Sequence, residues 1–292
     1  MTRRRLLAVP LVLLLTLGSL GTCQETIRPP RDLHVLVVSI DGLRPDAIEK
    51  VETPNLHALM KGGSHARVAR TILPSSTLPS HTSMLTGLDV KHHGVLWNDW
   101  EEGRGPIKAT TCLELAGRAG YRTGLFAGKE KFRHLSRGID DFQIPAYHAA
   151  KVAEAAIGFV RRESAPWLVF LHLADPDGAG HAHGWMTEEQ FAAIRDADAA
   201  LGAVLAALDE TGLRERTIVF VTADHGGHGT THGTFMEEDM RIPWIACGPG
   251  VRKNATLDRE VRTFDTAPTV LSALGLEVPP GWDGTSVSEA FE

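Results

Sequence analysis

The chain has 292 residues, 43% of them hydrophobic, enough for one large core or two small ones. Its 36 acidic residues outnumber 30 basic ones, a formal charge of −6 that argues against binding nucleic-acid polymers through phosphate contacts. Three cysteines are too few for a disulfide framework, and no repeat or low-complexity tract marks a solenoid or a disordered array.

At the N-terminus, Arg3, Arg4 and Arg5 precede an apolar run from Leu6 to Leu17, and small residues lead up to Cys23. This is the layout of a secretory signal peptide over 1–23. The run is shorter than the ~20 apolar residues that a permanent membrane span needs. "LGTC" (20–23) resembles a bacterial lipobox, which would place a lipid on Cys23, although Thr22 fits that pattern poorly. "TRRRLL" (2–7) resembles a twin-arginine signal, but the Leu-rich run suits the general secretory route better. The expected location is extracytoplasmic: secreted, periplasmic, or held to a membrane only through a lipid on Cys23. Without the three leader arginines the chain keeps 27 basic and 36 acidic residues, a formal charge of −9. Cys112 and Cys247 are expected as buried thiols.

The first strand is "LHVLVVSI" (33–40), which runs into Asp41–Gly42. A helix over 53–63 follows, with Thr53 as cap, Pro54 in its first turn and Gly62 as stop. Next comes "TILPSSTLPSHTSMLTG" (71–87), where hydroxyl residues crowd a helix start and Pro79 suits the first turn. A hydroxyl there sits among free backbone N–H groups that favour an anion such as phosphate. Ser75, Ser76 and Thr77 could equally serve as plain caps. The stretch 96–150 is less regular and is expected to cap the site. Within it lie a helix over 110–120, a strand over 121–127 and "GKEKFRHL" (128–135), whose Lys129 and Lys131 are expected in a solvated loop. Strand 167–173 runs into "ADPDGAGHAHG" (174–184). A long helix over 187–211 opens with a Thr187/Gln190 capping box and ends at Gly212. Strand 216–223 delivers "VTADHGGHGTTHGTF" (221–235). A strand over 242–248 and a helix over 266–274 complete the chain.

The strands are unbroken apolar runs, which suit burial on both faces. Alternation with helices predicts one α/β domain over 31–292, with a largely parallel central sheet and helices on both faces. In such sheets ligands bind beyond the carboxyl ends of the strands. Polar residues gather there: Asp41, then Asp177 and His181, then Asp224, His225 and His232. Three carboxylates and three imidazoles are too many for one tetrahedral site and enough for two. Nitrogen and oxygen donors without thiolate point to catalytic Zn²⁺, with Mn²⁺ or Fe also admitted.

The ordered set "SIDG" (39–42), "STLPSHTSMLTG" (76–87), "DPDGAGH" (175–181), "TADHGGHG" (222–229) and "THG" (231–233) resembles the alkaline phosphatase superfamily. Within it the pattern is most similar to the nucleotide pyrophosphatase/phosphodiesterases. The resemblance covers nearly the whole chain after the leader and implies an alkaline phosphatase-like sandwich. It implies Thr77 as nucleophile and as ligand to a first metal with Asp41, Asp224 and His225. A second metal would take Asp177, His181 and His232, and Asn98 would hold a non-bridging phosphate oxygen. Sulfatases share a similar pattern but need a Cys where Thr77 stands, so type I sulfatase activity is set aside. His81, His183, His228 and Asp175 are expected at the surface.

These expectations describe a metal-dependent phosphoric ester hydrolase. It would bind two divalent ions and act on a small phosphorylated substrate, with nucleotides among the candidates. Thr77 would attack phosphorus, and water would hydrolyse the phospho-threonine. The alternatives are a phosphomonoesterase or phosphonate hydrolase on the same scaffold, and a non-catalytic metal-binding relative. Trp97, Trp100, Phe126, Phe132 and Trp185 are the rings that could stack a base.

Overall fold

A computed structural model describes residues 31–292; the leader at 1–23 and Cys23 lie outside the described residues. The strands are β1 (His34–Ile40), β2 (Ser64–Ala66), β3 (Ala69–Arg70), β4 (Arg122–Ala127), β5 (Asp141–Gln143), β6 (Trp167–Leu173), β7 (Thr217–Thr222), β8 (Arg241–Ile242), β9 (Trp244–Cys247), β10 (Ala255–Leu257) and β11 (Val261–Arg262). Eight of them form one sheet in the order β10-β2-β9-β7-β1-β6-β4-β5, and β11-β3-β8 form a small second sheet. From β7 to β5 every pairing is parallel. β9 runs antiparallel to β7, because the chain returns through a loop at the carboxyl end instead of a crossover helix. The run read as one strand over 242–248 is divided at Pro243, which lacks an N–H for the ladder.

The helices are α1 (Pro45–Ile48), α2 (Pro54–Gly62), α3 (Thr77–Thr86), α4 (Val90–His93), α5 (Cys112–Arg118), α6 (Ala149–Arg162), α7 (Asp175–His183), α8 (Glu188–Glu210), α9 (Glu237–Met240) and α10 (Thr266–Ala273). They fall into two packed sets on the sheet, α2, α6, α7 and α8 in one and α3, α5 and α10 in the other. β1 and β6 are buried along their whole length, as unbroken apolar runs require. Within 96–150, expected to cap the site, β4 falls on the strand expected over 121–127, and β5 adds a further strand to the central sheet. Their apolar residues are spent on the core, and the irregular remainder of the stretch carries Asn98.

Two caps differ from expectation. Thr53 makes no capping bond to α2; Asp198 of α8 does so across the helix packing, accepting from Asn55 N at 3.1 Å and Leu56 N at 2.9 Å. At α8, Thr187 Oγ1 accepts from Gln190 N, but Gln190 Oε1 accepts from Met186 N rather than from Thr187. Met186 adopts a left-handed φ of 66°, and its N–H takes the place of the expected donor. Cys112 and Cys247 are both buried and not disulfide-bonded.

Candidate active site

The strand order explains how distant residues meet. β1 lies between β6 and β7, with Ser39 level with both His172 and Thr222. The three carboxyl ends therefore open side by side, and Asp41 N donates to Leu173 O at 2.9 Å across the junction. From β1 comes Asp41, from β7 come Asp224 and His225, and from α7, just beyond β6, come Asp177 and His181. Asp177 and His181 are four apart on a helix, so they share one face.

Two triads result. The free ligand atoms of Asp41, Asp224 and His225 lie within 4.8 Å of one another, and so do those of Asp177, His181 and His232. His225 Nε2 stands 3.2 Å from Asp224 Oδ2 and 3.5 Å from Asp41 Oδ1. His181 Nε2 and His232 Nε2 stand 3.4 and 3.6 Å from Asp177 Oδ1 and 3.1 Å from each other. Ligands 2.0 Å from a tetrahedral ion are separated by about 3.3 Å, so both triads have the dimensions of a metal site.

The hydrogen bonding fits the same reading. His225 Nδ1 pairs with Gly226 O, His181 Nδ1 with Thr230 O, and His232 Nδ1 with Ser75 O. A carbonyl accepts only, so each Nδ1 carries the proton and each Nε2 keeps a lone pair. The carboxylates are divided likewise. Asp224 Oδ1 accepts from Gly42 N and His225 N, Asp177 Oδ2 from Lys129, and Asp41 Oδ2 from His172 and Lys129. The other oxygens, Asp41 Oδ1, Asp177 Oδ1 and Asp224 Oδ2, are buried without a partner, as is His225 Nε2. Buried polar atoms are rarely left bare, and these four are the atoms a pair of dications would bind.

Thr77 is the first residue of α3 and is buried. Ser76 makes no capping bond and Ser75 donates to Thr234 O, so neither serves as a plain cap. Asn98 Oδ1 accepts from Leu78 N at 2.8 Å, which leaves the Asn98 amide N–H groups for another acceptor.

Four residues of the site escaped the sequence reading. Lys129, expected in solvent, is 12% exposed, with Nζ 2.6 Å from Asp41 Oδ2, 2.6 Å from Asp177 Oδ2 and 3.5 Å from Thr77 Oγ1. It follows β4, the neighbour of β6, so the strand-end rule that found the aspartates also covers it. His172 was hidden inside an apolar strand. His81, expected at the surface, is fully buried: Nδ1 donates to Thr77 O at 2.7 Å, and Nε2 pairs with Ser39 Oγ. Trp185, named as a stacking ring, is wedged beneath the second triad. Its Nε1 donates to Gly42 O at 2.9 Å, and its ring meets His181 and His232 edge-on. Phe126 and Phe132 belong to the core, Trp97 lies under Arg104, and Trp100 packs on His134. His228 and Asp175 brace the site's loops, His228 on Asp239 at 2.6 Å and Asp175 on Ala149 N; His183 is exposed.

Electrostatics follow from packing three carboxylates around one ammonium. Burial pushes Asp41 up, but the Lys129 charge and the His172 hydrogen bond outweigh it and hold the carboxyl well below its usual range. Asp177 is likewise lowered to about 2 against burial and the Asp41 charge, with the Lys129 ammonium among the groups that pull it down. Burial and the Asp41 charge raise Asp224 well above normal. Burial lowers His225, and burial with the His225 charge lowers His232 to about 4.

A family model described as type I phosphodiesterase / nucleotide pyrophosphatase matches residues 35–113 and 120–255. The chain belongs to this family. Among curated phosphodiesterase relatives, human ectonucleotide pyrophosphatase/phosphodiesterase family member 5 is 27% identical over 239 residues, 73% of this chain and 49% of its own length. Human family member 7 is 27% identical over 223 residues, 66% of this chain and 47% of its own. A mouse bis(5'-adenosyl)-triphosphatase is 24% identical over 251 residues, 77% of this chain and 53% of its own. The chain thus spans about half the length of the curated relatives it matches. Among solved structures, murine family member 5, an inactive threonine-to-alanine variant in complex with AMP, superposes with a TM-score of 0.76 at 19% identity. That match covers 89% of this chain and all of that one. A 2-O GAG sulfatase superposes with a TM-score of 0.76 at 17% identity, covering 89% of this chain and 74% of that one. At these identities the structures establish a shared fold, a central sheet flanked by helices.

Proposed function

We propose that this protein is an extracytoplasmic two-metal phosphohydrolase that cleaves phosphodiester or pyrophosphate bonds through a phospho-threonine on Thr77, with 31–292 as one catalytic domain. One observation carries the reading: six carboxylate and imidazole groups from three adjacent strand ends turn one ligand atom each into two triads near Thr77, and four of those atoms are buried without a partner. Asp41, Asp224, His225 and Thr77 would hold one divalent ion, and Asp177, His181 and His232 the other. The thiol-free donor set suits Zn²⁺, with Mn²⁺ or Fe next. When bound, such a pair of ions acidifies a hydroxyl and neutralises charge on the attacking and leaving oxygens.

The chain's own residues do the rest. Thr77 Oγ1 attacks phosphorus, the bond to the leaving oxygen breaks, and that oxygen takes up a proton. Water then attacks the phospho-threonine and restores the hydroxyl. His81 fixes the turn that presents Thr77 by bonding its carbonyl. The amide of Asn98, anchored on Leu78 N, would donate to a non-bridging oxygen where charge accumulates.

A nucleotide substrate is supported by the names of the relatives and by the AMP in the murine structure. Among the described residues the exposed large apolar side chains are Leu73, Leu96, Tyr147, Phe235 and Met236. Each lies close in sequence to Thr77, Asn98 or His232, or, like Tyr147, bonds the segment that carries Asp177. The alternative is a phosphomonoesterase on the same scaffold.

The test is a rate comparison on a nitrophenyl phosphodiester and a nitrophenyl phosphomonoester, with Zn²⁺ or Mn²⁺ supplied. The diester is expected to be faster, and a monoester faster by orders of magnitude would reverse the assignment. Thr77→Ala is expected to abolish turnover while metal content stays near two ions per chain. Full activity in that variant would mean the nucleophile is another group.

A further inference from the structure

Lys129 has no part in the proposed displacement, yet it lies at the centre of the site. Its three donor protons meet three acceptors: Asp41 Oδ2, Asp177 Oδ2 and, more distantly, Thr77 Oγ1. The two aspartates belong to different triads, so one ammonium is shared by both candidate metal sites. In each it takes the Oδ2 atom and leaves Oδ1 bare.

We propose that Lys129 is a permanent third cation of the centre, a positioning residue that keeps the two metal sites assembled before any ion binds. The proposal rests on the two-metal reading above but not on the reaction it catalyses. A buried carboxylate without counter-charge either takes a proton or destabilises the fold. Asp41, Asp177 and Asp224 are all buried. Among the described residues the cation in contact with two of them, Asp41 and Asp177, is Lys129. A lysine suits the task because its ammonium is a compact charge with three donors, able to bridge two oxygens from different elements, whereas a planar guanidinium pairs best with one carboxylate. The lysine also leaves the geometry ready: with Oδ2 held, the lone oxygens of Asp41 and Asp177 stay aimed at their histidines. Two bound dications would supply most of the counter-charge themselves, so the stabilising share of Lys129 must shrink once the site is loaded.

The test compares thermal unfolding of wild type, Lys129→Met and Lys131→Met, each stripped with chelator and each reloaded with zinc, with metal content measured. Metal-free Lys129→Met is expected to melt roughly 5–10 °C below wild type, and zinc is expected to close most of that gap. Folding of Lys129→Met only in the presence of zinc would support the proposal equally. Lys131→Met, which removes a neighbouring charge that bridges nothing, is expected to melt near wild type in both states. Three results would overturn the proposal. They are a metal-free Lys129→Met as stable as wild type, a loss that zinc does not repair, and an equal loss in Lys131→Met. None of these readouts depends on turnover, so an inactive enzyme would count against the hydrolase assignment and leave this result standing.

Discussion

His172 shows how a single side chain acts on the centre without reaching the substrate. It stands in β6, fully buried, with Nε2 2.8 Å from Asp41 Oδ2, and Gly128 N lies 3.4 Å from its Nδ1. A backbone N–H there can only donate, so the proton sits on Nε2 and the imidazole orients the Asp41 carboxylate from behind. Partners of this kind are typically worth about 10–100-fold in metal affinity. His172→Phe, which keeps a ring packed on Phe132 and His81, is therefore expected to weaken one of two zinc-binding steps by roughly that factor in a competition titration. Unchanged binding at both steps would remove His172 from the site. The candidate ligands were legible because each follows an apolar run that ends at the rim. His172 and His81 were not, since a lone polar residue inside a buried strand or helix reveals neither its face nor its partner until the tertiary fold supplies them.

At the scale of elements, α7 was the least legible part of the site. "DPDGAGH" carries two glycines in its first six residues, each costing about 1 kcal/mol in a helix interior relative to alanine. Packing against α8 overrides that local preference. The glycines are required by a neighbour that sequence spacing does not show. A Cβ on Gly180 would lie 2.7 Å from the Trp185 ring, and one on Gly227 only 2.2 Å from it; Gly42 approaches the same ring at 3.3 Å. Trp185 is therefore a wedge that sets the distance between α7, the end of β1 and the loop bearing His225 and His232. Gly227→Ala must displace either the indole or the loop. It is expected to destabilise the protein by about 1–3 kcal/mol, the usual range for overpacking, and to lower occupancy of the Asp177–His181–His232 site. Urea unfolding together with metal analysis checks both. Normal stability with two bound ions would show that the wedge gives way freely.

The whole molecule segregates its demands along the sheet: ionised groups at the carboxyl ends, neutral packing at the opposite end. The strand pattern made this architecture readable, since apolar runs, three of them ending in acidic and imidazole residues, imply one buried sheet and one reactive rim. What it did not show is the edge pair β2 and β10, strands of three residues that carry little periodic signal, or that β9 runs antiparallel to β7. The neutral end makes its own prediction. His34 opens β1, stacks 4.7 Å from Trp167, and has no partner for either ring nitrogen. Burial, with the Arg216 charge, lowers its pKa to about 4. His93, whose Nδ1 accepts from Val95 N, is lowered by burial to about 4 as well. Both groups are neutral in the folded chain down to about pH 4, whereas in the unfolded chain they take up a proton near 6.5. Between those values the unfolded state binds more protons, so their contribution is complete above pH 6.5 and is lost as pH falls toward 4. His34→Leu removes one of the two titrations. Its unfolding free energy is expected to fall less than that of wild type between pH 7.5 and 5, whatever its stability at neutral pH. The slope, measured by urea denaturation in chelator so that the metal ligands contribute equally to both proteins, is the quantity to compare. Parallel slopes would place the proton uptake elsewhere, with His34 already charged or already solvated in the folded state.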